Sequence, residues 1–175
     1  MHVPETPLCL AEGPEDDETR TRLAARVGEL ARAQHRTVAV AESLTGGMLS
    51  TELAAAGGSS AWYLGGLVAY ASDVKHAVLD VPEGPVVSGP AASAMARGIR
   101  RLLRADVGLA VTGAAGPDGQ DGHEPGTVFA AVAAGDAHRV LRLQIEGEPD
   151  SVCRTTTTAA LRMLVECLED SPGAD

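Results

Sequence analysis

The sequence predicts one α/β domain of three layers, with helices on both faces of a mixed, mostly parallel sheet. Short runs of small and branched residues alternate with longer helical segments, the order in which open sheets are wound. Aromatic residues make up 2% of a chain that is 45% apolar. The core must therefore be built from Ala, Val and Leu, which suits helix-on-sheet packing better than an aromatic-rich β-sandwich. With 175 residues the chain can form one domain with a sizeable core and is too short for two ordinary ones.

Taken in order, residues 1–18 hold Pro4, Pro7, Pro14 and the acidic run Glu15-Asp16-Asp17-Glu18 and are expected as a disordered tail. The domain is expected over 19–170, with a frayed end at 171–175. Leu23, Val27, Leu30 and Ala31 recur at helical spacing and predict a helix over 19–36. Val38 to Ala41 read as a short buried strand, followed by a polar turn and a helix over 48–56. After the breaker at 57–60, residues 62–70 read as a strand. Ser72 is expected to cap a short helix over 73–79, and three prolines mark a loop over 80–90.

A small-residue helix is expected over 91–104, with its last turn basic, then a buried strand over 107–111. Five glycines punctuate the next fourteen residues, 113 to 126, and a loop of that length inside a compact domain is usually functional. Strands over 127–134 and 138–145 form a hairpin around Gly135-Asp136, and a helix over 150–168 closes the domain.

A formal charge of −10 speaks against a nucleic-acid partner, which needs a basic footprint. A small phosphorylated ligand needs only a few amides and one or two cations. Cys9, Cys153 and Cys167 lack metal-ligand spacing. On one helix Cys153 and Cys167 would lie about 21 Å apart, too far to bridge. Free thiols suit a reducing, cytoplasmic setting. No signal peptide and no apolar run long enough to span a membrane is visible. The five histidines are scattered, so neither a zinc site nor a Ser-His-Asp triad is expected, and His123 reads as a surface residue.

The chemistry centres on Glu42-Ser43-Leu44-Thr45-Gly46-Gly47, where a buried strand turns into a helix. Open α/β sheets carry their ligands at such carboxyl ends of strands. Taken alone, the turn leaves two readings open: Ser43 or Thr45 as a helix cap, or Ser43 as a nucleophile with the Gly46 and Gly47 amides serving an oxyanion. The chain writes Arg thirteen times and Lys once, at Lys75. Unlike Arg, a buried Lys can give up its proton and act as a base. Three turns, at 43–47, 70–75 and 112–119, are expected to meet at one sheet edge. There Lys75 could activate Ser43, and Tyr70 could relay the proton or hold the amine. Tyr-x4-Lys without an early G-x-G-x-x-G excludes a short-chain dehydrogenase, and Lys75 lacks the setting of a Walker A loop.

Several stretches in register resemble the CinA C-terminal domain family, the nicotinamide-mononucleotide deamidases. They are Ala41-Glu42-Ser43-Leu44-Thr45-Gly46-Gly47, Gly58-Ser59-Ser60-Ala61-Trp62-Tyr63, Gly66-Leu67-Val68-Ala69-Tyr70, Asp73-Val74-Lys75, the run 112–119, and Gly126-Thr127-Val128. The resemblance spans about residues 20–169. It implies a metal-independent, cofactor-free amidohydrolase that turns nicotinamide mononucleotide and water into nicotinate mononucleotide and ammonia. Ser43, Tyr70 and Lys75 fall on the family's catalytic positions, and a homo-oligomer, first of all a dimer, is implied. Glu42, Thr45, Ser60, Thr112, Gly113 and Gly116 are expected to line the substrate site.

The chain departs from the family pattern at Leu44, at Ala71-Ser72, at Glu124-Pro125 and at Gly147-Glu148-Pro149, where an arginine is usual. Arg154 is expected to stand in for that arginine. These departures motivate the alternative of a catalytically weak nucleotide-binding or partner-binding module, and a third reading is an amidase for another small amide. The chain is read as the stand-alone form of the domain.

Overall fold

The computed structural model describes Leu8–Cys9 and residues 16–170. Among these residues the strands are β1 (Leu8–Cys9), β2 (Val38–Glu42), β3 (Tyr63–Val68), β4 (Val107–Gly113), β5 (Thr127–Ala134) and β6 (Ala137–Gln144). Five helices accompany them: α1 (Asp17–Ala33), α2 (Met48–Ala55), α3 (Ser72–Leu79), α4 (Gly89–Leu103) and α5 (Pro149–Asp170). The sheet order is β1-β6-β5-β4-β2-β3. β2 pairs parallel with both β3 and β4, β5 lies antiparallel between β4 and β6, and β1 runs parallel to β6. Only β5 runs against the other strands, so the mixed, mostly parallel sheet stands.

Alternation along the strands divides the core in two. Val38, Val40, Val107, Leu109 and Val111 face a layer made by α1, α2 and α5. Ala39, Ala41, Ala110, Ala131 and Ala133 face α4. This second face is built from small residues, so α4 comes close. At Gly108 an added Cβ would collide with the Ala96 carbonyl. The Ala-rich composition is thus the condition for one helix to lie against the middle of the sheet.

Element ends differ from expectation where side chains cap. α1 starts at Asp17 because the Asp16 carboxylate accepts from Thr19 N–H at 2.9 Å. The expected cap at Ser72 is a correction: Ser72 is the first residue of α3, and Ala71 holds the cap position without a side-chain bond. α4 begins two residues before 91, where the Ser88 hydroxyl accepts from Ala91 N–H at 3.2 Å and Pro90 sits in the first turn, a place proline tolerates. Of the tail expected over 1–18, residues 1–7 and 10–15 lie outside the described residues, as does the end at 171–175. Leu8–Cys9 add a short strand to β6.

The glycine-rich run after β4 is a closed loop. Ala114 N–H donates to Thr127 O and Gly126 N–H to Ala114 O at its base, while Gln120 and His123 pair across its tip. His123, expected on the surface, lays its ring edge-on to Phe129 at 5.6 Å between centroids.

Candidate active site

The register places the three turns together. Ala41 lies beside Ala110 of β4, Glu42 lies beside Val68 of β3, and Ala69 N–H donates to Glu42 O at 2.7 Å. Ser43, Tyr70 and Gly113 therefore leave three adjacent strands at one edge. They open onto a cleft of about 310 Å³ lined by Ser43, Leu44, Tyr70 and the backbone run 113–120. Gly113 is required there, since a Cβ would stand 2.7 Å from Thr127 O on the neighbouring strand.

Glu42 organises the turn. It is fully buried. Its carboxylate accepts from the N–H groups of Gly47, Leu49 and Ser50 and from the hydroxyls of Thr45 and Ser50. The unpaired N–H groups of a helix start are thus capped from the preceding strand, and a negative charge meets the positive end of the α2 dipole. Glu42 and Thr45 are consequently corrected from substrate contacts to supports of the Ser43 turn. The expected oxyanion donors are corrected as well. Gly47 N–H is spent on Glu42, and Gly46 N–H donates to Ser43 O at 3.2 Å. Both glycines have positive φ, 58° and 106°, which lets the chain make this tight passage.

Lys75 is 2% exposed, and its Nζ donates to the main-chain oxygen of Tyr70 at 3.1 Å. Burial pushes its pKa down from the usual 10.5, while the charge of Asp121 pulls it back up. Asp121 also ties two loops together, its carboxylate accepting from Val86 N–H at 2.7 Å and Val87 N–H at 2.8 Å. The Tyr70 side chain is 74% exposed at the mouth of the cleft. Lys75 is thus anchored by the backbone of Tyr70, with the phenol left in solvent.

Of the remaining expected residues, Gly113 and Gly116 line the cleft and Ser43 is buried at its base. Thr112 is buried and donates to Val86 O at 2.8 Å, fastening β4 to the loop before α4. Ser60 is corrected: it precedes β3, whose first residue pairs with the first residue of β2, so it lies at the opposite end of the sheet from Ser43. Arg154 is corrected too, because its guanidinium is paired with Asp150 and Asp17 away from the cleft lining.

Two residues without a motif signal support the site. Cys153 donates its thiol to Leu44 O at 3.1 Å, and Asp121 acts as described above. Two of the departures from the family pattern meet at Gly116, where a Cβ would touch Pro125 at 3.5 Å and Pro149 at 3.8 Å. Among the described residues no group of three or more His, Cys, Asp or Glu could hold a metal ion. No helix among them is long and apolar enough to cross a membrane.

A family model described as the CinA C-terminal domain matches residues 20–168. The chain belongs to the CinA C-terminal domain family. A "CinA-like protein" from Geobacter sulfurreducens is 40% identical over 163 residues, covering 90% of this chain and 38% of that protein. The chain thus spans about two fifths of the length of such curated relatives. Among solved structures, a CinA superfamily protein from Klebsiella pneumoniae is 30% identical with a TM-score of 0.83, covering 87% of this chain and 99% of that one. One from Escherichia coli is 28% identical with a TM-score of 0.84, covering 95% and 99%. This CinA domain therefore shares nearly its whole fold with proteins of that superfamily.

Proposed function

We propose that the cleft hydrolyses the carboxamide of a small pyridine nucleotide such as nicotinamide mononucleotide. The observation that carries this reading is the chain's one lysine, buried and held by Tyr70 O just after β3, the strand paired with the β2 that leads into Ser43. A desolvated amine with a lowered pKa is the base a serine needs where no histidine serves.

In this reading Lys75 takes the Ser43 proton as Oγ attacks the carboxamide carbon. The Lys75 ammonium then protonates the amide nitrogen as the tetrahedral oxyanion collapses, so that the C–N bond breaks and ammonia leaves with Lys75 neutral again. Water attacks the resulting ester with Lys75 again as base, releasing the carboxylate and restoring Ser43. With the Gly46 and Gly47 amides engaged, the amide directly after the nucleophile, that of Leu44, is the preferred oxyanion donor. The Tyr70 ring at the mouth offers an aromatic face to the pyridine, and the backbone amides of Ala115, Gly116, Asp118 and Gly119 are offered to the phosphate.

The deciding experiment measures ammonia release and nucleotide binding for Ser43→Ala. Turnover should fall by about a thousandfold or more, with binding largely kept. Wild-type turnover in this variant would rule out the covalent route. Binding without turnover in the wild-type protein would favour a nucleotide-binding module, and a panel of small amides identifies the substrate. Edge strand β3 leaves Leu64 and Val68 more than two fifths exposed, which favours a second copy as the partner, and light scattering of Leu64→Lys tests this.

A further inference from the structure

We propose that the cavity between the C-terminal half of α4 and the β5–β6 turn is a second site, which binds a small phosphorylated anion carrying two or more negative charges. It encloses about 280 Å³ and is lined by Arg97, Arg100, Arg101 and His138, together with Gly135 and Asp136 of the turn. The three arginines stand at i, i+3 and i+4, one face of the helix.

A basic helix end alone would explain less. Cations favour the last turn of a helix, which accounts for Arg100 and Arg101, whereas Arg97 lies a turn earlier. In this acidic chain several arginines on other elements find carboxylates: Arg26 pairs with Glu29 and Glu169, Arg139 with Glu166, and Arg154 with Asp150 and Asp17, whereas Arg142 lies over the Phe129 ring instead. Among the described residues neither Arg97 nor Arg100 has a carboxylate within ion-pair distance, and only Arg101 is paired, with Asp80.

The two unpaired guanidiniums are nevertheless held in place. Arg100 donates from Nε to Asp106 O and from Nη1 to Gly135 O, each at 3.1 Å, bridging helix and hairpin. Arg97 donates to the buried Ser93 hydroxyl at 2.8 Å. Each guanidinium has five N–H donors, so donors remain after these bonds. Fixed, like-charged forks suit a phosphate, which accepts paired hydrogen bonds from arginine. Asp136 opposes a weakly charged ligand, so the occupant must carry more than one negative charge.

The cavity lies at the end of β4 where Val107 begins, whereas Gly113 at the other end borders the Ser43 cleft. Six residue steps at 3.3 Å place the two sites about 20 Å apart, so the second site does not depend on the amidase reading.

Titration with inorganic pyrophosphate at low salt, followed by amide NMR, tests the proposal. Saturable shifts are expected at Arg97, Arg100 and Gly135. The double variant Arg97→Ala/Arg101→Ala should weaken binding by roughly tenfold or more, with an unchanged melting temperature because both side chains are exposed. A nucleoside diphosphate arm shows whether the occupant also carries a base. The proposal is overturned if no saturable shift appears at these residues up to about 10 mM, if the double variant binds unchanged, or if single-stranded RNA binds in preference.

Discussion

The Lys75 amine donates to the carbonyl oxygen of Tyr70 at 3.1 Å, while the Tyr70 side chain reaches into solvent. One residue thus has two separable parts, a backbone that holds the Lys75 amine and a ring that borders the cleft. Tyr70→Phe keeps the backbone and should leave stability within about 0.5 kcal/mol of wild type. Its pH profile should keep the Lys75 limb unmoved, and its ammonia release should fall by less than about tenfold. A loss as deep as that of Ser43→Ala would instead make the phenol an obligate proton carrier.

The burial of Lys75 costs stability, and under the proposed amidase reading it serves activity. Its folded pKa lies below the usual 10.5 because burial disfavours the ammonium. Below the folded value, both states are protonated and the folded protein bears the full penalty. Between the two values the unfolded chain binds the extra proton, so stability rises with pH, and above 10.5 the penalty is gone. Lys75→Met should therefore abolish turnover and raise the melting temperature near neutral pH, with a gain that shrinks as pH approaches 10.5. Equal melting shifts at neutral and high pH would contradict this account.

Glu42 supports the turn that carries Ser43 and does not itself line the cleft. Glu42→Gln replaces one acceptor oxygen with an N–H₂ facing donors, leaving buried amides of α2 unpaired. The expected cost is roughly 1–3 kcal/mol, read from chemical denaturation. Since the turn would loosen around Ser43, kcat should fall more than KM rises, with the Lys75 limb unmoved. An unaltered kcat would show that the carboxylate serves stability alone.

Continuous runs of small and branched residues place β2, β4 and β5, which are buried on both faces, while helical spacing and breakers place the helices. The meeting of the 43, 70 and 113 turns was also legible, since parallel strands in sequence deliver their carboxyl ends to one side. What escaped was direction. No spacing rule tells that the Glu42 carboxylate turns inward to cap α2, which removes Gly46 and Gly47 as oxyanion donors. Ser60 was misplaced because its motif adjoins β3 in sequence, and only the strand register shows that it stands at the wrong end. Asp121 carried no motif at all: its role arises where two loops cross, a contact without sequence periodicity.

That crossing gives a last prediction. Asp121 latches Val86 and Val87 through their N–H groups and is the charge that raises the Lys75 pKa against desolvation. Asp121→Asn keeps an oxygen able to accept from those amides, so the latch persists while the charge is lost. Without it the ammonium loses its electrostatic support, and the Lys75 pKa should fall further. More Lys75 is then neutral at a given acidic pH, so the rising limb of kcat/KM should move to lower pH, with activity gained on that side. Asp121→Ala removes the latch as well and should destabilise the loops by roughly 1–3 kcal/mol. A limb that stays fixed or moves upward in Asp121→Asn would show that Lys75 is not the group that sets it.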